Sequence, residues 1–155
     1  MIRVIGVGSP WGDDQAGWLA AEALRGLFED DRVEVKTLDR PGPALCEHWQ
    51  RNDSVVLLDA VRAHGEIGRI HCVEGAAIAN LGGASLSSHG FGVAAAVALA
   101  TALEVMPRRL CLLGLEVSGS GHGAGLSAET ERCVPQLTAA ARAQVTTWLN
   151  DSVPA

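Results

Sequence analysis

Short apolar runs alternate with longer helix-patterned stretches along the whole chain, and this alternation limits the fold more than any other feature. Ile2–Val7, Val33–Leu38, Ser54–Leu58 and Arg109–Glu116 read as strands. Val55-Val56-Leu57-Leu58 is apolar without a break, the pattern of a strand covered on both faces. Gly68–Val73 alternates, as an edge strand does. Between the strands, a helix starting at Asp13 or Asp14 and running to about Phe28 puts Leu19, Ala20, Ala23, Leu24 and Leu27 on one face. Pro43–Gln50 is a short helix, since proline suits a first helical turn. Ser88–Leu103 is a helix rich in Ala and Val, and Ala128–Leu149 closes the chain. No linker or internal repeat interrupts the order. Such βαβ alternation predicts a single three-layer α/β domain, a mostly parallel five-stranded sheet with helices on both faces. The domain is expected to span residues 1–150, with 151–155 a flexible tail.

Composition narrows the function classes. At 48% hydrophobic and 19% charged residues, the chain can bury a sizeable core. A net charge of -6 provides no basic footprint for nucleic acid or an anionic membrane. No segment reaches the roughly 18 uninterrupted apolar residues of a membrane span, and the chain does not open like a secretory signal. A cytoplasmic monomer is the expectation. Cys46, Cys72, Cys111 and Cys133 are widely spaced without a CxxC pair, so they read as reduced, small hydrophobes rather than disulfides or a zinc site.

Ligands of open α/β sheets sit beyond the strand carboxyl ends, and three segments carry polar residues to that edge. Gly6-Val7-Gly8-Ser9-Pro10-Trp11-Gly12-Asp13-Asp14 follows the first strand. Its glycines permit a tight turn, Trp11 is expected to be exposed, and Asp13 suits a helix cap. Asp14 exceeds what capping requires; in the first turn its carboxylate is favoured by the helix dipole and suited to a hard cation. Asp59 directly follows an apolar strand, where a charge must reach solvent or find a partner. His89 opens the Ala-rich helix, where the positive dipole end keeps the imidazole neutral and able to ligate. Asp14, Asp59 and His89 together make a three-ligand site with open positions, as catalytic metals require. Oxygen and nitrogen donors suit zinc or nickel without choosing between them. The glycine-rich loop Ser118–Gly125, with His122 in it, and the stretch Gly82–Ser85 are the flexible segments. No serine or cysteine has an activating histidine in its sequence context, and Ser87 and Ser88 lack a nucleophile elbow.

These segments, in this order, resemble the nickel–iron hydrogenase maturation endopeptidases. The family has a glycine loop after a first strand and an acidic pair at a helix start, here Gly6-Val7-Gly8-Ser9 and Asp13-Asp14. It has an apolar strand ending in Asp-Ala, here Asp59-Ala60, then a Ser-His segment opening a helix, here Ser88-His89-Gly90. A Gly-Leu-Ser phrase precedes its last helix, here Gly125-Leu126-Ser127. Ser9 stands where the family usually has Asn, and Val117 where it often has Pro. The resemblance implies cleavage of the C-terminal extension of a hydrogenase large-subunit precursor by metal-assisted hydrolysis. Asp14, Asp59 and His89 would then lie around the metal as both catalytic and ligating residues. The implied metal is nickel carried by the substrate, with zinc or cadmium able to occupy the site of the isolated protein. Two alternatives compete. Gly6-x-Gly8 between a strand and a helix also opens a dinucleotide-binding fingerprint, although Asp13 and Asp14 would repel a pyrophosphate at that helix start. A non-catalytic maturation chaperone of the same fold is the other.

Overall fold

The computed structural model describes residues 1–82, 88–118, 123 and 125–151, with the backbone alone at 82 and 88–91. Five strands form one sheet in the order β2-β1-β3-β5-β4: β1 (Ile2–Gly8), β2 (Val33–Asp39), β3 (Ser54–Val61), β4 (Ile70–Glu74) and β5 (Arg109–Glu116). β1 pairs in parallel with β2 and β3, and β3 with β5. β4 runs antiparallel to β5, so the sheet is mixed rather than purely parallel. The physical reason is the link 62–69, too short for the crossover that a parallel neighbour would need. The edge position expected for β4 is the one found.

Helices cover both faces. α1 (Ala16–Leu24) and α3 (Ala128–Asp151) close one face over Val4, Val56, Leu58, Leu113 and Leu115. α2 (Ser88–Ala102) and the 3-10 segments Gly42–His48 and Gly75–Gly82 close the other over Ile5, Val7, Val55, Leu57 and Leu112. The alternation along β3 therefore sends Val56, Leu58 and Ala60 to the α1/α3 face and Val55 and Leu57 to the α2 face. Val55 to Leu58 are fully buried, as their unbroken apolar run predicts.

Several expectations are corrected. α1 stops at Leu24, because Arg25 turns extended and Gly26 takes φ +78°. Its buried stripe is Ala16, Gly17, Ala20, Ala21 and Leu24, which leaves Leu19, Ala23 and Leu27 facing solvent. The short helix near Pro43 is a 3-10 segment, and a further one at Gly75–Gly82 was not foreseen. α3 runs on to Asp151, and 152–155 lie outside the described residues. No helix among the described residues is long and apolar enough to cross a membrane.

Candidate active site

Strand order reverses between β1 and β3, and there the sheet opens. The β1–β3 register ends at Gly6–Leu58, while β3 remains paired with β5 as far as Val61–Glu116. A crevice at such a switch point, beyond the carboxyl ends of the strands, is where this architecture takes ligands.

Glycines bring the acidic segment onto this crevice. A side chain at Gly8 would strike the Asp14 carbonyl, and one at Gly17 would strike the carbonyls of both Val7 and Leu58. A Cβ at Gly6 would collide with the Gly17 carbonyl and Ala21. The start of α1 thus rests directly on the ends of β1 and β3. Close approach, more than turn geometry, explains these glycines; the turn itself falls at Gly12, with φ +53°. Asp14 lies in the 3-10 turn Gly12–Gln15 and accepts a hydrogen bond from the Ser9 hydroxyl at 3.2 Å. Ser9 is buried, and its hydroxyl also accepts from the Trp11 amide at 3.4 Å. Trp11 is 60% exposed beside it, as expected of a residue on the rim.

Asp13 does not cap its own helix. The cap position is Trp11, which makes no side-chain bond there. The carboxylate of Asp13 instead accepts from the Ser127 amide at 2.8 Å and the Ser127 hydroxyl at 3.0 Å. Ser127 immediately precedes α3, and its hydroxyl accepts from the Thr130 amide at 3.2 Å, an N-cap. Asp13 therefore locks the start of α3 to the end of β1 and joins the Asp-Asp and Gly-Leu-Ser motifs. Only the fold could show this pairing across 114 positions.

Asp59 lies within β3, not after it, because Ala60 and Val61 continue the pairing with β5. It sits opposite Gly114 and shares the alternation of Val55 and Leu57, so it faces the α2 side. It is 1% exposed, and among the described residues neither carboxyl oxygen has a hydrogen-bond partner. Burial pushes its pKa well above the ordinary carboxylate range; the nearby Ala60 amide pulls it partly back, the negative charge of Asp14 raises it, and Arg62 lowers it. The influence of Asp14 shows that the two carboxyls share one electrostatic neighbourhood. Arg62, three residues on, was missed by sequence reasoning; its Nε is buried without a partner among the described residues. A cation one turn of chain past an expected site acid was the available signal.

α2 begins at Ser88, so His89 lies in its first turn. Gly92 of that helix packs against Gly42, which follows β2 at its carboxyl end. Past the far end of α2, the Val105 carbonyl accepts from the Trp49 indole at 3.0 Å, at the approach to the start of β3. The start of α2 consequently lies at the same sheet edge as Asp14 and Asp59. The His89 side chain lies outside the described residues, as do Ser87, His122 and most of the loop 118–125. The Gly123 carbonyl lies close to Gly12 and so against the acidic turn.

Other polar groups have structural work. Glu116 is buried and receives the Ala63 amide at 2.8 Å and the Gly65 amide, holding the β3–β4 link. His71 Nε2 lies 3.9 Å from Glu116. Burial and the neighbouring Cys72 thiol push the Cys111 thiol up, so it is no ready nucleophile. No described serine or cysteine is hydrogen-bonded to a described histidine.

Comparison with protein families finds the model described as "HycI: Hydrogenase maturation protease" matching residues 21–144. The chain belongs to the hydrogenase maturation protease family. Its members are peptidases, and the match includes Asp59 and His89, while Asp13 and Asp14 precede it. Among solved structures, the hydrogenase maturating endopeptidase HybD from E. coli is similar at 22% identity and a TM-score of 0.78, over 97% of this chain and 93% of that one. The [NiFe] hydrogenase maturation protease HybD from Thermococcus kodakarensis gives 20% and 0.70, over 92% and 97%. The HycI protease from the same organism gives 23% and 0.66, over 89% and 87%. These likenesses show the shared fold over nearly the whole chain. A search of curated proteins finds no match.

Proposed function

We propose that this maturation protease removes the C-terminal extension of a nickel–iron hydrogenase large-subunit precursor, and that Asp14, Asp59 and His89 receive the nickel ion the precursor carries. The observation that carries this reading is Asp59. A buried carboxyl whose two oxygens have no partner among the described residues is costly, and this one feels the charge of a second carboxylate, Asp14, at the crevice. A cation arriving there would satisfy the Asp59 oxygens. Two oxygen donors and an imidazole fit a borderline divalent ion such as nickel, and also admit zinc or cadmium in isolated protein.

The residues then divide the labour. A bound cation supplies Lewis-acid polarisation of the scissile carbonyl or of a water. Burial disfavours the charged form of Asp59 and an arriving cation would favour it, so the cation would prepare this carboxylate to act as a general base. Asp13 is unsuited to that role, since both its oxygens are engaged by Ser127. Ser9 orients Asp14. The exposed face of Trp11 lines the approach for an extended peptide. Nothing of this requires a serine or cysteine nucleophile.

The test is processing of a nickel-loaded precursor by purified protein, followed as the mass shift of the large subunit. Asp14→Asn, Asp59→Asn and His89→Ala are each expected to slow processing by about 100-fold or more, the scale of losing a positioned acid–base group, with circular dichroism unchanged. Native-rate processing by all three folded variants would sink the site. Failure of the wild-type protein to cleave any loaded precursor, while binding it, would favour the chaperone reading.

A further inference from the structure

The sheet assembles a second candidate metal site far from the crevice. Cys72 and Cys111 are 39 positions apart, yet their sulfurs lie 3.5 Å from each other. Glu74 completes the group, with all three ligand atoms within 4.8 Å of one another. The register explains the cluster: Glu74 is directly opposite Cys111, and Cys72 is opposite Leu113, two residues along. All three side chains therefore share the α1/α3 face of the β4–β5 pair, on which Cys111 and Leu113 are core residues. Asp59 faces the other side of the sheet, so the two sites are separate.

We infer that Cys72, Glu74 and Cys111 form a binding site for a thiophilic divalent cation of the zinc class. Two thiolates held by one tetrahedral zinc at about 2.3 Å are about 3.7 Å apart, close to the separation found. The diagonal register disfavours the competing covalent outcome. Diagonal neighbours across an antiparallel pair are about 7–8 Å apart, whereas a disulfide takes Cα atoms no more than about 6.8 Å apart. Glu74 and Cys72 are exposed and Cys111 is buried, so one side of the site is protein and the other is open to water as a fourth ligand. Binding releases the two thiol protons to solvent and leaves two thiolates and one carboxylate on the ion. Its structural effect is a clasp across the antiparallel edge pair, where β4 has a neighbour on one side only.

Cobalt(II) is the probe, because thiolate coordination gives it an intense near-ultraviolet charge-transfer band that oxygen and nitrogen ligands do not. Titration of reduced, full-length protein is expected to develop this band to one equivalent, and zinc to abolish it by displacement. Cys72→Ser, a change at an exposed position, removes the band. Glu74→Gln weakens binding at least about tenfold, the low end of what losing even an outer-sphere partner costs. Asp59→Asn leaves the band intact while impairing processing, so the two proposals fail separately. Absence of a thiolate band in the reduced wild-type protein, or its full retention in folded Cys72→Ser, overturns the inference.

Discussion

Replacing Asp59 by Asn should make the protein more stable near neutral pH while impairing its chemistry. The sign follows from the direction of the pKa shift. Burial raises the folded-state pKa well above the ordinary value, so the native chain keeps a proton that the unfolded chain has released. The unfolded state then binds fewer protons, and stability falls as pH rises from the unfolded pKa of about 3.9 toward the folded one. The stabilising contribution is fully present below the unfolded pKa and is lost as pH rises through the folded pKa. One proton carries a slope of about 1.4 kcal/mol per pH unit. Between pH 4.5 and 5.5 the wild-type protein should therefore lose about 1 kcal/mol relative to Asp59→Asn, all other titrations cancelling. For a chain of this size that is a relative change of about 2–4 °C in Tm. Asn keeps the volume of Asp, so no cavity obscures the comparison. Urea unfolding of both proteins across this range, with equal m-values, measures the difference directly. Parallel pH–stability curves would show that Asp59 titrates normally, and the argument from a buried carboxyl would fall.

Two further predictions concern how the site is built. Asp13→Ala should cost about 2–4 kcal/mol, because it removes two hydrogen bonds to a buried carboxylate and leaves the Ser127 amide without its partner. A double-mutant cycle with Ser127→Ala, read by urea unfolding, should show strong coupling; strictly additive effects would show that the contact contributes nothing. Gly17→Ala should destabilise by several kcal/mol, about 3 or more, since the added methyl meets two backbone carbonyls that no rotamer change can move. A variant with native Tm would contradict the close packing of α1 on β1 and β3.

The periodicity of the chain determined the α/β class, the five strands and the two-sided helical cover. Apolar runs such as Val55 to Leu58 have one physical solution, burial on both faces, wherever they occur. The ordered polar residues after β1, in β3 and at the start of α2 also marked the carboxyl edge, because strand and helix ends are local features. What the chain does not encode locally is which ends meet. Asp13 looked like a cap for its own helix and proved to be the partner of Ser127, since a carboxylate goes to whichever donors the fold supplies. Asp59 looked like a strand terminus and is an interior, buried acid, because β5 extends the pairing past the point where β1 leaves it. The cysteines looked unrelated at their spacing, and only the antiparallel return of β4 along β5 set two sulfurs side by side. Local periodicity decides burial, whereas partners are chosen by strand order and register, which depend on the packing of the whole domain.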